Sequence, residues 1–282
     1  MTQEHQSKVW FVTGGSKGLG LSLIGKLLGH GYKVAATSRD AEELQKAVGR
    51  TDNFLALAVD LSDENSVKSA VEKAIGNFGR IDVIVNNAGY GIGGSLEELT
   101  NTEIQKAFDV NIFGTINVIR AVMPQLRKQG SGHIINISSI AGFDGGTGWA
   151  AYAAAKAAII GLTEVLALDV KEFGVKATVV MPGGFRTEFL KPSSVILSEN
   201  KMPEYTAVRT YHDRLLSIDG KQTGNPDLAA DVFIDLAENP NPPVRLFIGS
   251  DAVKRAWEKT EAIVENIKEW KITSKSTDYL ES

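Results

Sequence analysis

A tyrosine and a lysine, Tyr152 and Lys156, stand four residues apart in an alanine-rich segment, and Ser139 precedes the tyrosine by thirteen residues. A free tyrosine has a pKa of about 10 and is a poor acid or base at neutral pH. On a helix, a lysine four residues later lies on the same face, and its charge favours the phenolate and lowers the tyrosine pKa. The pair therefore predicts proton transfer between an alcohol and a carbonyl. A surface Tyr/Lys pair with this spacing also arises by chance, so the interpretation depends on the rest of the chain.

A glycine-rich turn lies near the N-terminus, where residues 13–20 read TGGSKGLG directly after a predicted strand and at the start of a predicted helix. Such a turn lets the backbone approach a pyrophosphate, whose charge then meets amides at the helix N-terminus. The glycines follow the order G-x-x-x-G-x-G rather than G-x-G-x-x-G, and a glycine turn alone can also be an ordinary tight loop. Its place between strand and helix favours dinucleotide binding.

The end of the second predicted strand indicates which dinucleotide binds. An NAD site usually has an acidic residue about 20 positions after the glycine turn, where it binds the ribose 2′-hydroxyl. Here Ser38 and Arg39 occupy that region, and Lys17 of the glycine turn is expected to reach the same place. Two cations and a hydroxyl suit a 2′-phosphate, so we predict NADP(H) in preference to NAD(H). In the alternative, both cations are merely solvated. Asp40 also lies nearby, and it is expected to cap the next helix.

Polar residues also end the third and fourth predicted strands. Asp60 is a candidate to accept a hydrogen bond from the adenine amino group, but a loop or helix-cap role shared with Ser62 and Asp63 is a close alternative. Residues 86–89 read Asn-Asn-Ala-Gly and are predicted to line the cofactor cleft. The alternative for that stretch is a plain Asn-Gly-type turn.

The segments that must position these residues alternate between short apolar strands and amphipathic helices. Seven strands are predicted, apolar almost throughout, as in parallel strands covered on both faces. They are Val9–Thr13, Lys33–Thr37, Phe54–Val59, Ile81–Asn86, His133–Ser138, Lys176–Met181 and Val244–Ile248. The order predicts an α/β fold of the Rossmann type: a doubly wound, seven-stranded parallel sheet with helices on both faces, in a single domain. Ligands of such sheets bind beyond the carboxyl ends of the strands.

Two further segments are predicted around this sheet. Residues 188–225 interrupt the alternation and are expected to form an insertion over the substrate site, within a catalytic domain of residues 1–250. Residues 251–282 are expected to form a helical extension whose apolar face packs on the same domain, with partner binding as the alternative. That face consists of Val253, Ala256, Trp257, Ile263, Val264, Ile267 and Trp270.

The composition excludes several classes of protein. The 282 residues contain no cysteine and four scattered histidines, which excludes disulfides, thiol catalysis and cysteine-based zinc sites and predicts no bound metal. The net charge of -4, without a basic block longer than two residues, argues against binding to nucleic acid or anionic membranes. No apolar run approaches the roughly 20 residues of a membrane span, and residues 1–8 lack the apolar core of a signal peptide. We therefore expect a cytoplasmic protein.

The chain resembles the classical short-chain dehydrogenase/reductase family from about Lys8 to Ile248. The matching stretches are TGGSKGLG (13–20), Asp60, NNAG (86–89), Asn111, Ser139, Tyr152 with Lys156, and PGGFRT (182–187). Their occurrence together and in this order is highly specific. Within the family, the chain looks similar to a bacterial branch near the 17β-hydroxysteroid-dehydrogenase-like group.

The resemblance implies a role for each reactive residue. Tyr152 is the catalytic acid/base, and Lys156 lowers its pKa and holds the nicotinamide ribose. Ser139 polarises the carbonyl, and Asn111 keeps in place a water that passes protons to Lys156. Taken alone, Ser139 is equally a strand-end cap and Asn111 a buried kink in a helix. The expected cofactor-binding residues are Gly14, Ser16, Lys17, Gly18, Leu19, Gly20, Ser38, Arg39, Asp60, Leu61, Asn87, Ala88, Gly89, Tyr152, Lys156, Pro182, Gly183, Phe185 and Thr187.

The function implied is that of an NADP(H)-dependent oxidoreductase acting on a ketone or aldehyde and the matching alcohol. Its small-molecule substrate is expected to be apolar, because large apolar residues surround the predicted site. The substrate candidates are Ile140, Phe143, Trp149 and Phe189, with Ile92, Ala141, Phe185 and Leu190 as further wall residues, part of which belong to the core in the alternative. Two rival functions are a non-catalytic NADP-binding redox-sensing regulator and an NAD-linked polyol or sugar dehydrogenase. Family members are usually dimers or tetramers, so we expect a homodimer or a homotetramer.

Overall fold

A central sheet of parallel strands organises the computed structural model, which describes residues 8–279. Residues 1–7, at the start of the predicted catalytic domain, and residues 280–282, at the end of the predicted helical extension, lie outside the described residues. The strands are β1 (Val9–Thr13), β2 (Lys33–Ser38), β3 (Phe54–Ala58), β4 (Val83–Asn86), β5 (Gly91–Gly93), β6 (Gly132–Ile137), β7 (Val175–Pro182), β8 (Val195–Leu197) and β9 (Arg245–Ile248). Seven of them form the main sheet in the order β3-β2-β1-β4-β6-β7-β9. All seven predicted strands are confirmed, as is the fold class.

Helices cover both faces of this sheet. They are α1 (Gly18–Gly29), α2 (Ala41–Val48), α3 (Glu64–Phe78), α4 (Asn101–Phe108), α5 (Gly114–Gln129), α6 (Ile140–Phe143), α7 (Ala150–Asp169), α8 (Thr206–Ser217), α9 (Pro226–Glu238) and α10 (Ser250–Lys275). Alternate residues of a strand face opposite sides, so Val9 and Phe11 pack in the core under α3 and α5, whereas Trp10 and Val12 pack in the core under α1 and α9. The strand order reverses between β1 and β4, where their carboxyl ends open a crevice.

The insertion over the site contains a paired strand that its sequence did not predict. Residues 188–225 hold a short 3₁₀ turn, then β8, then α8. β8 pairs in parallel with β5, which follows the Asn-Asn-Ala-Gly stretch, and this gives a second sheet of two strands. The insertion is therefore joined by backbone hydrogen bonds to the loop beyond β4.

The helix α10 differs from the prediction that it packs on the domain. Ala252 and Ala256 in its first two turns are buried against Ile140 and neighbouring residues, but Trp257 is 69% exposed. From that point the helix extends away from the body, so the prediction is wrong for the rest of its apolar face. The physical reason is that the apolar face continues for several turns beyond the contacts of α10 with α6 and β9 at the root of the helix, where its residues are exposed.

Within residues 8–279, one helix is long and apolar enough to cross a membrane, namely α7. This is weak evidence for a span, because the core helix of a soluble protein passes the same test. The buried face of α7 carries Tyr152, Lys156 and Ile159. About 33% of its apolar window is buried inside the protein, while Val165 and Leu168 are exposed.

Candidate active site

A deep cleft of about 1700 Å³ opens at the carboxyl ends of the strands. One wall is the glycine turn together with the ends of β2, β3 and β4, and the other is the insertion. Ser139, Tyr152 and Lys156 line it together, although they come from β6's end and from α7. The predicted catalytic group is thus assembled in one place.

Helix α7 positions the tyrosine and the lysine. Both side chains are on its buried face, one turn apart. The Lys156 Nζ donates a hydrogen bond to the Ile137 carbonyl oxygen at 3.0 Å and lies 5.9 Å from the centroid of the Tyr152 ring. The ammonium is therefore held near the phenol ring by a backbone carbonyl.

Burial dominates the protonation of both residues. It raises the pKa of Tyr152 to about 12, against an opposing contribution from a hydrogen bond with Ser139. Burial also lowers the pKa of Lys156 to about 8. Burial of the phenol is thus the largest influence on the tyrosine pKa in this structure, and the lowering of that pKa by Lys156 stays a prediction.

The two adjacent serines differ in their contacts. Ser138 is buried, and its Oγ donates to the Lys156 carbonyl oxygen at 2.7 Å, so it holds α7 in place. Both serines line the cleft, but it is the Ser139 hydroxyl that acts on Tyr152, where it lowers the pKa of the phenol against the effect of burial. Its Oγ also accepts a hydrogen bond from the Ala141 amide at 3.1 Å as the cap of α6. The cap role and the site role therefore belong to the same side chain.

Asn111 lies in a π-helical turn, Asp109–Phe113, between α4 and α5. Its side-chain amide donates to the carbonyl oxygens of Ala107 at 2.9 Å and Tyr90 at 3.1 Å, and its Oδ1 accepts from the Tyr90 amide at 3.2 Å. Asn111 is 1% exposed and does not line the cleft directly. The irregular turn is a feature often found at functional sites, and here it directs a buried amide toward the loop after β4.

Gly89 fills the space between Asn111 and Lys156. A Cβ at this position would collide with Asn111 Oδ1 and would lie 3.3 Å from Lys156 Nζ. A glycine is therefore required where the two side chains approach each other behind the catalytic tyrosine.

The glycine turn is held tightly against the loop after β4. Gly14 has φ +69°, and a Cβ there would lie 2.8 Å from the Ala88 Cα. Asn87 Nδ2 donates to the carbonyl oxygens of Thr13 at 3.1 Å and Gly14 at 3.0 Å. Gly20 does not line the cleft; a Cβ there would meet the Gly14 carbonyl oxygen and Asn87 Nδ2, so it permits the helix to pack on the turn.

Three of the four residues in the Asn-Asn-Ala-Gly stretch line the cleft, namely Asn87, Ala88 and Gly89. Asn86 does not, because its side chain is buried in the sheet and donates to Asn136 Oδ1 at 2.8 Å. The stretch therefore combines a cleft wall with a buried cross-strand hydrogen bond.

At the far end of the cleft, Ser38, Arg39, Asp60 and Leu61 line the wall as predicted. Asp40 caps α2, accepting from the amides of the second and third helical residues, which confirms the expected cap. Asp60 Oδ1 accepts hydrogen bonds from the Ser62 hydroxyl at 2.6 Å and amide at 2.9 Å, and these lower the pKa of Asp60. The helix cap at α3 is Asp63, which leaves Asp60 facing the cleft.

Lys17 does not extend toward Arg39. Its Nζ donates to the carbonyl oxygen and to the hydroxyl of Ser193, both at 3.0 Å, and so joins the glycine turn to the insertion. The sequence could not reveal this contact, because Ser193 is 176 residues away.

The turn after β7 closes the same end of the cleft. Pro182, Gly183, Phe185 and Thr187 all line it. The Thr187 hydroxyl accepts a hydrogen bond from the Phe189 amide at 3.3 Å and caps the 3₁₀ turn Glu188–Leu190. The remaining glycine-turn candidates, Ser16, Gly18 and Leu19, line the cleft opposite them.

The substrate candidates divide into two groups. Ile140, Ala141, Trp149, Phe185, Phe189 and Leu190 line the cleft. Phe143 and Ile92 do not: Phe143 packs edge-on against Phe247 at a centroid distance of 5.2 Å, and Ile92 is 1% exposed in the core under the insertion. For Phe143 the cause is the short helix α6, which turns this side chain toward β9 rather than toward Tyr152.

The sequence reasoning missed the contribution of α8. Tyr211, Arg214, Leu215 and Ile218 line the cleft, at spacings of three and four residues on one face of that helix. The helical periodicity of Tyr211, Leu215 and Ile218 was a signal that could have identified them.

The glycines around residues 142–148 serve close packing. A Cβ at Gly142 would lie 2.6 Å from the Lys156 carbonyl carbon, and one at Gly146 would lie 2.6 Å from the Tyr211 Cζ. Gly148 has φ +75°, and a Cβ there would lie 2.7 Å from His212 Nε2. The stretch is thus where α8 and α6 approach their neighbours most closely.

The model of the short chain dehydrogenase family matches residues 8–195. An oxidoreductase, BOA17, from Botryotinia fuckeliana is 35% identical over 94% of this chain and 97% of its own. A 3-ketodihydrosphingosine reductase from Bacteroides thetaiotaomicron is 34% identical over 86% of this chain and 88% of its own. The crystal structure of a short-chain dehydrogenase from Streptomyces avermitilis covers 97% of this chain and 100% of its own with a TM-score of 0.89 and 34% identity.

Two other similar structures hold nicotinamide cofactors, and they hold different ones. ElxO was solved with NADP bound, at a TM-score of 0.72 and 28% identity over 88% of this chain and 99% of its own. A 3-ketoacyl-(acyl-carrier-protein) reductase from Brucella melitensis was solved with NADH, at a TM-score of 0.71 and 25% identity over 86% of this chain and 97% of its own. The residues of this chain fit such a dinucleotide. The glycine turn, in which a Cβ at Gly14 would collide with Ala88, leads into the N-terminus of α1, where backbone amides can meet the charge of a pyrophosphate. With the cleft, the assembled Ser139, Tyr152 and Lys156 and these similarities in agreement, the chain belongs to the classical short-chain dehydrogenase/reductase family and is an oxidoreductase enzyme.

Proposed function

We propose that this protein is an NADP(H)-dependent carbonyl reductase that interconverts an apolar ketone or aldehyde and its alcohol. The observation that carries the proposal is that the Ser139 hydroxyl and the buried phenol of Tyr152 line the same cleft, with Lys156 beside them. Two hydroxyl donors in one cleft can both serve the oxygen of a bound carbonyl as it gains negative charge.

Tyr152 is the proposed acid. Because its pKa is about 12 in this cleft, the phenol holds its proton at neutral pH and can transfer it to a developing alkoxide. Ser139 donates a hydrogen bond to the same oxygen and fixes its position. The bound nicotinamide supplies the hydride that this chain's residues cannot.

Lys156 supports this step from behind the phenol. In its protonated form it stabilises the phenolate that proton donation leaves, and the Ile137 carbonyl keeps its Nζ in position. We assign to it contact with the nicotinamide ribose, and to Asn111 the support of a water that returns protons to Lys156. Gly89 leaves room for that approach.

The preference for NADP(H) is assigned to Arg39 and Ser38. Arg39 is exposed at the cleft wall beside Ser38, and no acidic side chain stands in its place. Its guanidinium suits a 2′-phosphate better than a ribose hydroxyl. Lys17 has a smaller part in this preference than the sequence suggested, because it is bound to Ser193.

The substrate end of the cleft favours an apolar molecule. Trp149, Phe189 and Leu215 face it together with Tyr152, so the transfer of an apolar substrate from water into the cleft is favourable. A relative named as a 3-ketodihydrosphingosine reductase supports a ketone as the reacting group.

We further propose that the enzyme is cytoplasmic and that it forms a homodimer or a homotetramer. Phe113, next to α5, and Val165 and Leu168 on α7 are exposed apolar residues (53%, 57% and 74%). Pairing of these helices between copies would cover them. Sedimentation of the intact protein and fractionation of cells test the assembly and the location.

The first test compares the binding of NADPH and NADH to the wild type and to Arg39→Ala. A charge-assisted contact to phosphate contributes about 1.5–3 kcal/mol, so NADPH affinity should fall by roughly ten- to a hundredfold while NADH affinity stays the same. Arg50→Ala removes an exposed arginine that does not line the cleft and is the matched control. A preference for NADH in the wild type would favour an NAD-linked dehydrogenase of polyols or sugars.

The second test concerns the tyrosine. Tyr152→Phe should retain NADPH binding and lose ketone reduction by about 10²–10⁴-fold, the usual contribution of a general acid. Tyr32→Phe, at a tyrosine outside the cleft, is the control and should be as active as the wild type. Tight NADPH binding without turnover of any ketone by the wild type would favour a redox-sensing regulator.

A further inference from the structure

The exposed face of α10 is a large apolar surface of the described chain that no part of the active site uses. Past Ala256 the described residues of the helix are all exposed, and Trp257, Ile267 and Trp270 are 69%, 63% and 58% exposed. Ile263 and Val264 lie on the same side and are also exposed. Large apolar patches of this kind mark sites of association.

The spacing on this face is that of a helix packed against another helix. Apolar and small residues recur at intervals of three and four along it, as in the heptads of a coiled coil. The series is Val253, Ala256, Thr260, Ile263, Ile267 and Trp270, of which Ala256 is buried against the body and the others are exposed. Trp257 and Val264 flank the series, so the stripe is wide enough to bury in a groove beside a second helix.

The charges on the rest of α10 favour a protein partner over a membrane. Helices that lie on membranes have a polar face rich in Lys and Arg. The basic residues of α10 are Lys254, Arg255, Lys259, Lys268, Lys271 and Lys275, and the acidic ones are Asp251, Glu258, Glu261, Glu265 and Glu269. A helix so evenly charged has no electrostatic preference for an anionic surface, and it is compatible with a second copy of itself.

The area of the face is sufficient for a stable pair. A tryptophan side chain presents up to about 250 Å², so Trp257 and Trp270 leave roughly 300 Å² uncovered in each copy. The aliphatic residues raise the total for two copies to the order of 1,000 Å², which is about the minimum for a specific interface. One copy alone covers none of this area.

We propose that α10 pairs with α10 of a second copy of this chain about a two-fold axis. A two-fold interface uses the same patch on both copies, as a single self-complementary stripe requires. This interface is separate from the pairing of α5 and α7 and does not depend on the reaction catalysed.

Cysteine cross-linking tests the pairing directly, because the chain has no cysteine of its own. Single variants Thr260→Cys, Ile263→Cys, Ile267→Cys and Trp270→Cys are oxidised in the full-length protein, and Glu265→Cys on the opposite face is the control. In a two-fold pair, at least one position of the stripe lies within the reach of a disulfide and should give a covalent dimer, whereas Glu265→Cys should not. Cross-linking at no position of the stripe, or equally at Glu265, overturns the proposal.

The mass in solution gives an independent test. Ile267→Asp places a charge in the stripe and should halve the mass measured by light scattering, whereas Ala262→Asp, on the far side of the exposed helix, should leave it unchanged. Both variants should bind NADPH as the wild type does, which shows that the body is folded. An unchanged mass for Ile267→Asp overturns the proposal. So does a wild-type monomer that binds vesicles of phosphatidylcholine and phosphatidylglycerol through α10.

Discussion

Substituting Gly142 by alanine should displace Ser139 relative to Tyr152. An added Cβ would lie 2.6 Å from the carbonyl carbon of Lys156 and 2.8 Å from the amide of Ala157, where ordinary contacts begin at 3.4 Å. These atoms belong to the backbone of α7 and cannot rotate away, so α6 must move by about 0.8 Å. The Gly142 amide donates to the Ser139 carbonyl oxygen at 3.0 Å, so Ser139 moves with it.

The consequence should appear in the chemical step. A displacement near 1 Å between Ser139 and Tyr152 lowers the rate by up to about a hundredfold, and the overpacking itself costs about 1–3 kcal/mol of folding free energy. We therefore expect Gly142→Ala to lower kcat roughly ten- to a hundredfold, to change the affinity for NADPH little, and to lower the thermal midpoint.

The matched control is Gly145→Ala in the same loop. A Cβ there would have the Ala153 Cβ as its nearest neighbour, at an ordinary 3.5 Å. Steady-state kinetics with an apolar ketone and a thermal melt should distinguish the two variants. Equal kcat values, with Gly142→Ala as stable as the wild type, would refute the claim that α6 positions Ser139.

Three further predictions concern parts of the molecule away from that contact. Burial lowers the pKa of His133 from 6.5 to about 4, so between these pH values the unfolded chain binds a proton that the native chain does not. The free energy of unfolding should therefore fall by about 3 kcal/mol as the pH is lowered from 6.5 to 4. Urea titrations of His133→Leu at several pH values should lack this part of the pH dependence. Arg209 pairs with the carboxylate of Glu98, whose side chain is fully buried. Arg209→Met should lower the free energy of unfolding by on the order of 2–3 kcal/mol. Glu98→Gln can still accept the backbone hydrogen bonds and should lower the free energy of unfolding by less in the same denaturation assay. Lys17→Met removes the contact with Ser193 and should weaken NADPH and NADH binding by the same factor, whereas a larger loss for NADPH would return Lys17 to the 2′-phosphate site.

The sheet and the reactive residues were predictable because both depend on local patterns. Apolar runs of four to eight residues mark buried parallel strands, and each predicted strand overlaps an observed one. The Tyr152/Lys156 spacing fixes their common face once the helix is known. Ser139 follows a strand end, and the parallel arrangement of β4, β6 and β7 brings that end to the cleft.

The contacts that join the insertion to the body were not predictable in this way. The β5–β8 pairing links residues about a hundred positions apart, and β5 is mainly glycine, which carries no strand signal. The path of α10 also escaped prediction. An amphipathic pattern shows that a face will be buried, but it does not show whether the same chain or another one buries it.

These contacts together determine how the substrate end of the cleft is built. Glu98 accepts hydrogen bonds from the Ser95 amide and from the Met202 amide, both at 2.9 Å, in addition to its pair with Arg209. The loop before α4 is thereby tied to the segment leading into α8 and to α8 itself, and the β5–β8 pairing secures the beginning of the insertion. Gly148 then lets His212 approach so closely that its Nε2 lies 3.1 Å from the Gly148 carbonyl oxygen. An insertion held at three places forms a wall whose shape precedes substrate binding. Specificity should therefore depend on the side chains that α8 presents to the cleft, and less on closure of a flexible lid.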